Sequence, residues 1–238
     1  APVITKEMKF DYEEGKKFVY KNFKKFSDNL ADFALKAFDN NWIDVKPKEG
    51  KIGGAFCAEI KDIKESRIML NYGDNFTDVV TMAHELGHGF HSACLNNETA
   101  LNSDYPMTLA ETASNFCEII VKKEGIKAGN KEEAFAILEA EISDCTQVIV
   151  DIYESSIYEN REESSVSVED IKELMIKAQK EAYGDGLDNN YLHPYMWTWK
   201  PHYYSAGANF YNFPYAFGNL FAKGLYAEYL NRGDSFCE

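Results

Sequence analysis

The chain has 238 residues, is 45% hydrophobic, and sets 39 Asp and Glu against 25 Lys and Arg, a formal net charge of -14. That length can bury a substantial core in one domain, and the acidic balance, with no basic block and no zinc-finger spacing, argues against nucleic acid as a partner. No run approaches about 18 apolar residues and no signal peptide is visible, so neither a membrane span nor a membrane partner is expected.

Helical patterning opens the chain. Phe18, Phe23, Phe26, Leu30, Phe33 and Phe38 recur at three-to-five spacing and predict a helical region. Glycines between Gly50 and Gly54 interrupt it. Two strands are expected next, Ala55 to Ile60 and Arg67 to Tyr72, followed by a turn at Gly73-Asp74-Asn75. Asp78 or Thr77 is the expected cap of the helix that follows.

That helix carries His84-Glu85-Leu86-Gly87-His88. A helix turns about 100° per residue, so His84 and His88 stand one turn apart on one face and can grip a single Zn²⁺. Glu85 is rotated beside the metal rather than onto it, where a general base for the attacking water belongs. A catalytic zinc needs a third protein ligand, and Glu111 offers one after a loop from Asn96 to Pro106. A rival use exists: Thr108 can cap the second helix, with Glu111 as its capping-box partner. Glu118, two turns beyond Glu111, could accept a hydrogen bond from the outer nitrogen of a ligand histidine. His91 is a poorer ligand, because it lies about 10 Å along the axis from His84. The longer zinc motif is absent, since its Gly position holds His91 and its final His position holds Cys94.

Helices are expected over Thr108–Lys123, Lys131–Tyr158, from Ser167 to Tyr183, and Phe217–Leu230, with a loop-like stretch from Gly184 to Trp199. Ser167 and Asp170 resemble a capping box. The fold class read from these elements is mainly α, with a small β-sheet beside the metal-binding helix. Gly54, Ala55 and Phe56 are candidates for substrate binding, because glycines permit close backbone approach and an edge strand can pair with an extended peptide; a plain tight turn is the alternative. Five cysteines, odd in number and widely spaced, read as reduced core residues and favour the cytoplasm.

The segment from Tyr195 to Phe217 mixes Trp, Tyr and Phe with His202. Its buried hydroxyls need partners, and such donors could hold an oxyanion, although a structural role is open for each of them. Taken together, His84 to Ser92, Ala110 to Phe116, and His202 to Tyr215 resemble the oligoendopeptidase F branch of the M3 metallopeptidases, a likeness that runs from about Gly50 to the end and includes Gly54 to Cys57.

The resemblance implies the zincin-like catalytic lobe of an M3 peptidase over residues 1–238, a fragment of a longer chain. It implies one Zn²⁺ per chain held by His84, His88 and Glu111, with Glu85 activating water and Glu118 behind the ligands. His202 and Tyr211 would correspond to the donors that steady the transition state, with Tyr204 and Tyr215 as competing assignments. Short peptides are the implied substrates, and an N-terminal lobe of the same polypeptide is the implied partner. A peptide-binding or scaffold module with a structural or vestigial metal is the alternative.

Overall fold

Asp11 starts the first helix by accepting the N–H of Glu14, while Glu14 reaches back to the Asp11 N–H. The computed structural model describes residues 8–145, 148–199, 201–205, 207 and 210–237. Helix α1, Tyr12–Phe26, ends at Ser27, which is extended, and its hydroxyl accepts from Leu30 to begin α2, Asp28–Asp39. The expected helical region therefore consists of two helices. Both bury one apolar face: Val19, Phe23, Leu30, Ala31 and Ala34 are at or near zero exposure.

A three-stranded sheet follows in the order β1-β3-β2, formed by β1, Ile43–Asp44, β2, Phe56–Ile60, and β3, Glu65–Met69. β3 is antiparallel to β2 and parallel to β1. β1 has only two residues, too short for alternation to reveal. β3 begins two residues earlier than expected and ends at Met69 rather than Tyr72. Leu70 and Tyr72 still donate backbone bonds, to Asp44 and Val45.

The long helix α3, Phe76–Cys94, is capped by Asn75, not by Thr77 or Asp78. Asp78 instead closes a capping box on Asn75 and also accepts the N–H of Gly73. One side of α3 is fully buried through Val79, Met82, Ala83 and Leu86. Truncating such a site to Ala typically costs about 2–5 kcal/mol. A short helix α4, Met107–Ala110, leads to α5, Thr112–Ala128, with Glu111 at the junction. Pro106, not Thr108, precedes this helical stretch, and no side chain caps it. α3 and α5 approach at backbone distance: a Cβ on Gly87 would lie 2.7 Å from Ser114 Cα. Glycine is required there for the crossing.

The expected helix from Lys131 to Tyr158 is divided into α6, Lys131–Cys145, and α7, Val148–Glu163, with 146–147 outside the described residues. The Ser167–Asp170 capping box forms as expected and begins α8, Val168–Tyr183. Short 3-10 turns occupy much of 184–204. The final helix, α9, spans Phe213–Arg232 and so starts earlier than Phe217.

Two units emerge, the first of Ala1–Ala140 with Phe217–Glu238 and the second of Glu141–Ala216. The first holds the sheet, α3 and α5. In the second, Ile149, Val150 and Tyr153 of α7 pack with Met175 and Ala178 of α8. The amide of Gln179 fixes the following turn, donating to the His193 carbonyl and accepting the His193 N–H, both at 2.9 Å. No helix among the described residues is long and apolar enough to cross a membrane.

Candidate metal centre

One helical turn places His84 and His88 on the same side of α3, with their Nε2 atoms 3.1 Å apart. α5 crosses close enough for Glu111 Oε2 to lie 3.3 Å from His84 Nε2 and 3.4 Å from His88 Nε2. Three donors at about 2.0–2.1 Å from a tetrahedral Zn²⁺ stand about 3.3 Å from one another. The three edges observed here match that triangle. Among the described residues, His84, His88 and Glu111 are the group able to hold a metal ion.

The Glu111 carboxylate is thus turned to the imidazoles, and the capping box with Thr108 does not form. The Ser114 hydroxyl lies 3.1 Å from Glu111 Oε2 and 3.0 Å from the Glu111 carbonyl. Gly218 of α9 backs the same residue: a Cβ there would fall 2.8 Å from Glu111 Cβ. Sequence patterning gave no signal for this support, because it depends on a chain separation of about a hundred residues.

Behind the cluster, His84 Nδ1–H donates to Glu118 Oε1 at 2.6 Å, which turns Nε2 to the other two groups. The buried Lys122 ammonium donates to the second Glu118 oxygen at 2.7 Å. Burial pushes the His84 pKa down, but bonds to Glu111 and Glu118 outweigh it and raise it to about 10. Burial acts the opposite way on Glu111, and the two imidazoles overcome it, holding the carboxyl far below its ordinary range.

Glu85 is buried beside the cluster, its pKa raised by burial and lowered in smaller part by His84 and His88. Its Oε2 has no hydrogen-bond partner among the described residues. His91 stands apart from the cluster, its ring stacked on Tyr105 at 4.3 Å, and burial lowers its pKa. The thiol of Cys57, on β2, is pushed up to about 12 by burial and then by the charge of Glu85, so it is not a thiolate nucleophile.

β2 is an edge strand, with no strand on its other side among the described residues. Gly54 has φ +81, a conformation that favours glycine, and Asn71 Nδ2 donates to both the Ile52 and Gly54 carbonyls at 2.9 Å. Ala55 is half-buried, and Phe56 is 44% exposed.

The aromatic donors belong to the second unit. His202 falls in the 3-10 turn Pro201–Tyr204, but its side chain lies outside the described residues. Tyr204 is 65% exposed and Tyr211 41%. The Tyr215 hydroxyl donates to the Tyr211 hydroxyl at 3.3 Å.

The sequence profile of peptidase family M3 matches residues 8–236. The chain belongs to peptidase family M3. It is 31% identical over 226 residues to the chromosomal oligoendopeptidase F of Lactococcus lactis subsp. cremoris, covering 92% of this chain and 37% of that protein. It is 28% identical over 239 residues to the group B oligopeptidase PepB of Streptococcus agalactiae, covering 97% and 39%. Among solved structures, a peptidase from Chlamydophila abortus aligns with a TM-score of 0.77 and 26% identity over 98% of this chain and 40% of that one. An oligoendopeptidase F from Enterococcus faecium shares the fold at a TM-score of 0.57 and 17% identity, over 94% and 34%. This M3 chain therefore spans about two fifths of the length of the curated relatives it matches.

Proposed function

We propose that this chain is the catalytic lobe of a longer zinc metallopeptidase that hydrolyses short peptides. The observation carrying this reading is the triangle of His84 Nε2, His88 Nε2 and Glu111 Oε2, whose edges of 3.1–3.4 Å suit one tetrahedral ion. Bound there, zinc supplies Lewis-acid polarisation of the scissile carbonyl and lowers the pKa of water.

Glu85 takes the proton from the attacking water and returns it to the departing amine. Its buried Oε2, open to a new donor, suits that task. Glu118 orients His84 so that Nε2 points to the ion. The segment that enters β2 through Gly54, Ala55 and Phe56 pairs with the extended peptide backbone. Tyr211 and His202 donate to the developing oxyanion, and Tyr204 and Tyr215 are the alternatives for the tyrosine. The remainder of the polypeptide is the partner that completes the substrate channel and excludes bulky substrates. The free thiols Cys57, Cys94, Cys117 and Cys237 suit a cytoplasmic setting.

Glu85→Gln in the complete protein tests the reading. It should keep one zinc per chain and lower hydrolysis of a mixed peptide library by about 10²–10⁴-fold. Wild-type protein that binds zinc tightly and turns over no peptide would instead make this a peptide-binding module with a vestigial metal. The substrate class has its own test. Matched cleavage sequences are offered as a free peptide and within an unfolded long chain; equal rates of cleavage in the two would end the restriction to short peptides.

A further inference from the structure

A lysine side chain is seldom buried without a partner, because an ammonium taken out of water loses its hydration. Lys122 is 8% exposed. It lies on α5 one turn beyond Glu118, which itself lies two turns beyond Glu111, so the three share the face of α5 that carries Glu111 to the imidazoles. The chain of contacts is continuous: Lys122 Nζ to Glu118 Oε2 at 2.7 Å, Glu118 Oε1 to His84 Nδ1 at 2.6 Å, and His84 Nε2 to Glu111 Oε2 at 3.3 Å.

We propose that Lys122 is a positioning residue for the metal, acting through Glu118 on His84; this rests on the zinc reading above. Two physical effects follow from the geometry. The ammonium engages one carboxylate oxygen, which stops rotation of the group and leaves the other oxygen aimed at His84 Nδ1. The same charge offsets that of Glu118, so a buried carboxylate can stand behind the ligand without being left unpaired. His84 is then held in one ring orientation and one tautomer, with Nε2 toward the ion.

Zinc affinity reads this directly. The dissociation constant is measured by competition with a chromophoric chelator on the complete protein, for wild type, Lys122→Met, Lys122→Arg, Glu118→Gln and the double variant Glu118→Gln/Lys122→Met. Lys122→Met should weaken zinc binding about 10-fold, near the lower end of what outer partners contribute. Lys122→Arg should recover most of the loss. In the Glu118→Gln background, Lys122→Met should cause no further weakening, because the carboxylate it acts through is gone. If the apolar side chain prevents folding, Lys122→Gln replaces it: the amide keeps a donor and removes only the charge, so zinc binding should weaken by less than with Met in the wild-type background and not at all in the Glu118→Gln background. A lowered melting temperature of the metal-free protein with unchanged zinc affinity would make Lys122 a structural ion pair only and overturn the proposal, as would equal weakening in both backgrounds. Wild-type protein that takes up no zinc would overturn the metallopeptidase reading itself, and this inference with it.

Discussion

The two regions that carry candidate chemistry are organised on different physical bases. Around the imidazoles, His84, Glu118 and Lys122 project from long helices and Glu111 from the junction that opens α5, and the four are linked by contacts of 2.6–3.3 Å. In the aromatic segment, Tyr204 and Tyr211 are exposed and sit on short turns, and Phe210 next to Tyr211 has φ 53, a left-handed conformation uncommon for a bulky residue. Helix geometry can hold a metal site within a fraction of an ångström. Donors on turns are held by whatever packs on the loop, here the N–H of Phe210 bonded to Glu154 at 2.9 Å and its ring stacked on Tyr158.

The sharpest way to break this contrast is to remove the residue that joins the two helices. Glu111→Ala should lower zinc affinity by well over the 10–100-fold that outer partners contribute, because it deletes a direct donor. His91→Ala should leave stoichiometry near one zinc per chain, as its ring is committed to Tyr105. Anomalous diffraction that put the metal on His91 and away from Glu111 would reverse the assignment.

The difference between the regions also explains what could be read from the chain. The His84–His88 pair, Glu118 two turns from Glu111, and the Ser167–Asp170 cap are set by helical spacing over a few residues, which the sequence displays directly. The competition for Glu111 was not legible in this way. Its carboxylate faces two imidazoles on another helix rather than its own N-terminus, a choice made by tertiary contact. The break at Ser27, the two-residue strand β1 and the cap at Asn75 are hidden for similar reasons: apolar periodicity runs on across Ser27, β1 is defined by its pairing with β3, and Asn75 reads as part of a turn. Lys122 stood at a readable i,i+4 spacing from Glu118, yet nothing local said the pair would be buried. Gly218 had no local signal at all.

Within the aromatic segment, Tyr211→Phe is the next largest test. If its hydroxyl steadies the oxyanion, kcat should fall about 10²–10³-fold with zinc stoichiometry unchanged. Tyr204→Phe and Tyr215→Phe should cost less, with Tyr215 acting in part through its bond to Tyr211. A larger loss in either of them would move the donor assignment to that residue.

Gly218→Ala sharpens the rigidity argument from the other side. The added methyl would stand 2.8 Å from Glu111 Cβ and 3.0 Å from its carbonyl carbon, closer than side-chain carbons pack. The shift needed to relieve it should cost about 1–3 kcal/mol of stability. It should also weaken zinc binding, because Glu111 is the residue displaced. Isothermal titration alongside thermal melting separates the two effects. A stability loss with unaltered zinc affinity would mean that α9 only fills space behind the site.

The last expected effect is on stability alone and concerns the footing of the aromatic segment. Asp151 on α7 has its pKa pushed up to about 6, first by burial and then by the charge of Glu154, with a bond from the Phe213 backbone pulling the other way. In the unfolded chain the same carboxyl titrates near about 3.9. Between those values the folded protein retains a proton that the unfolded chain has released, so stability falls as pH rises from about 4 to about 6 and this contribution is flat above. Asp151→Asn removes the charge and should flatten that part of the stability curve, leaving the variant more stable than wild type at pH 7 and nearly equal to it near pH 4. Melting temperatures across that range check it, and wild-type and variant curves that run parallel would show that Asp151 does not titrate in this window.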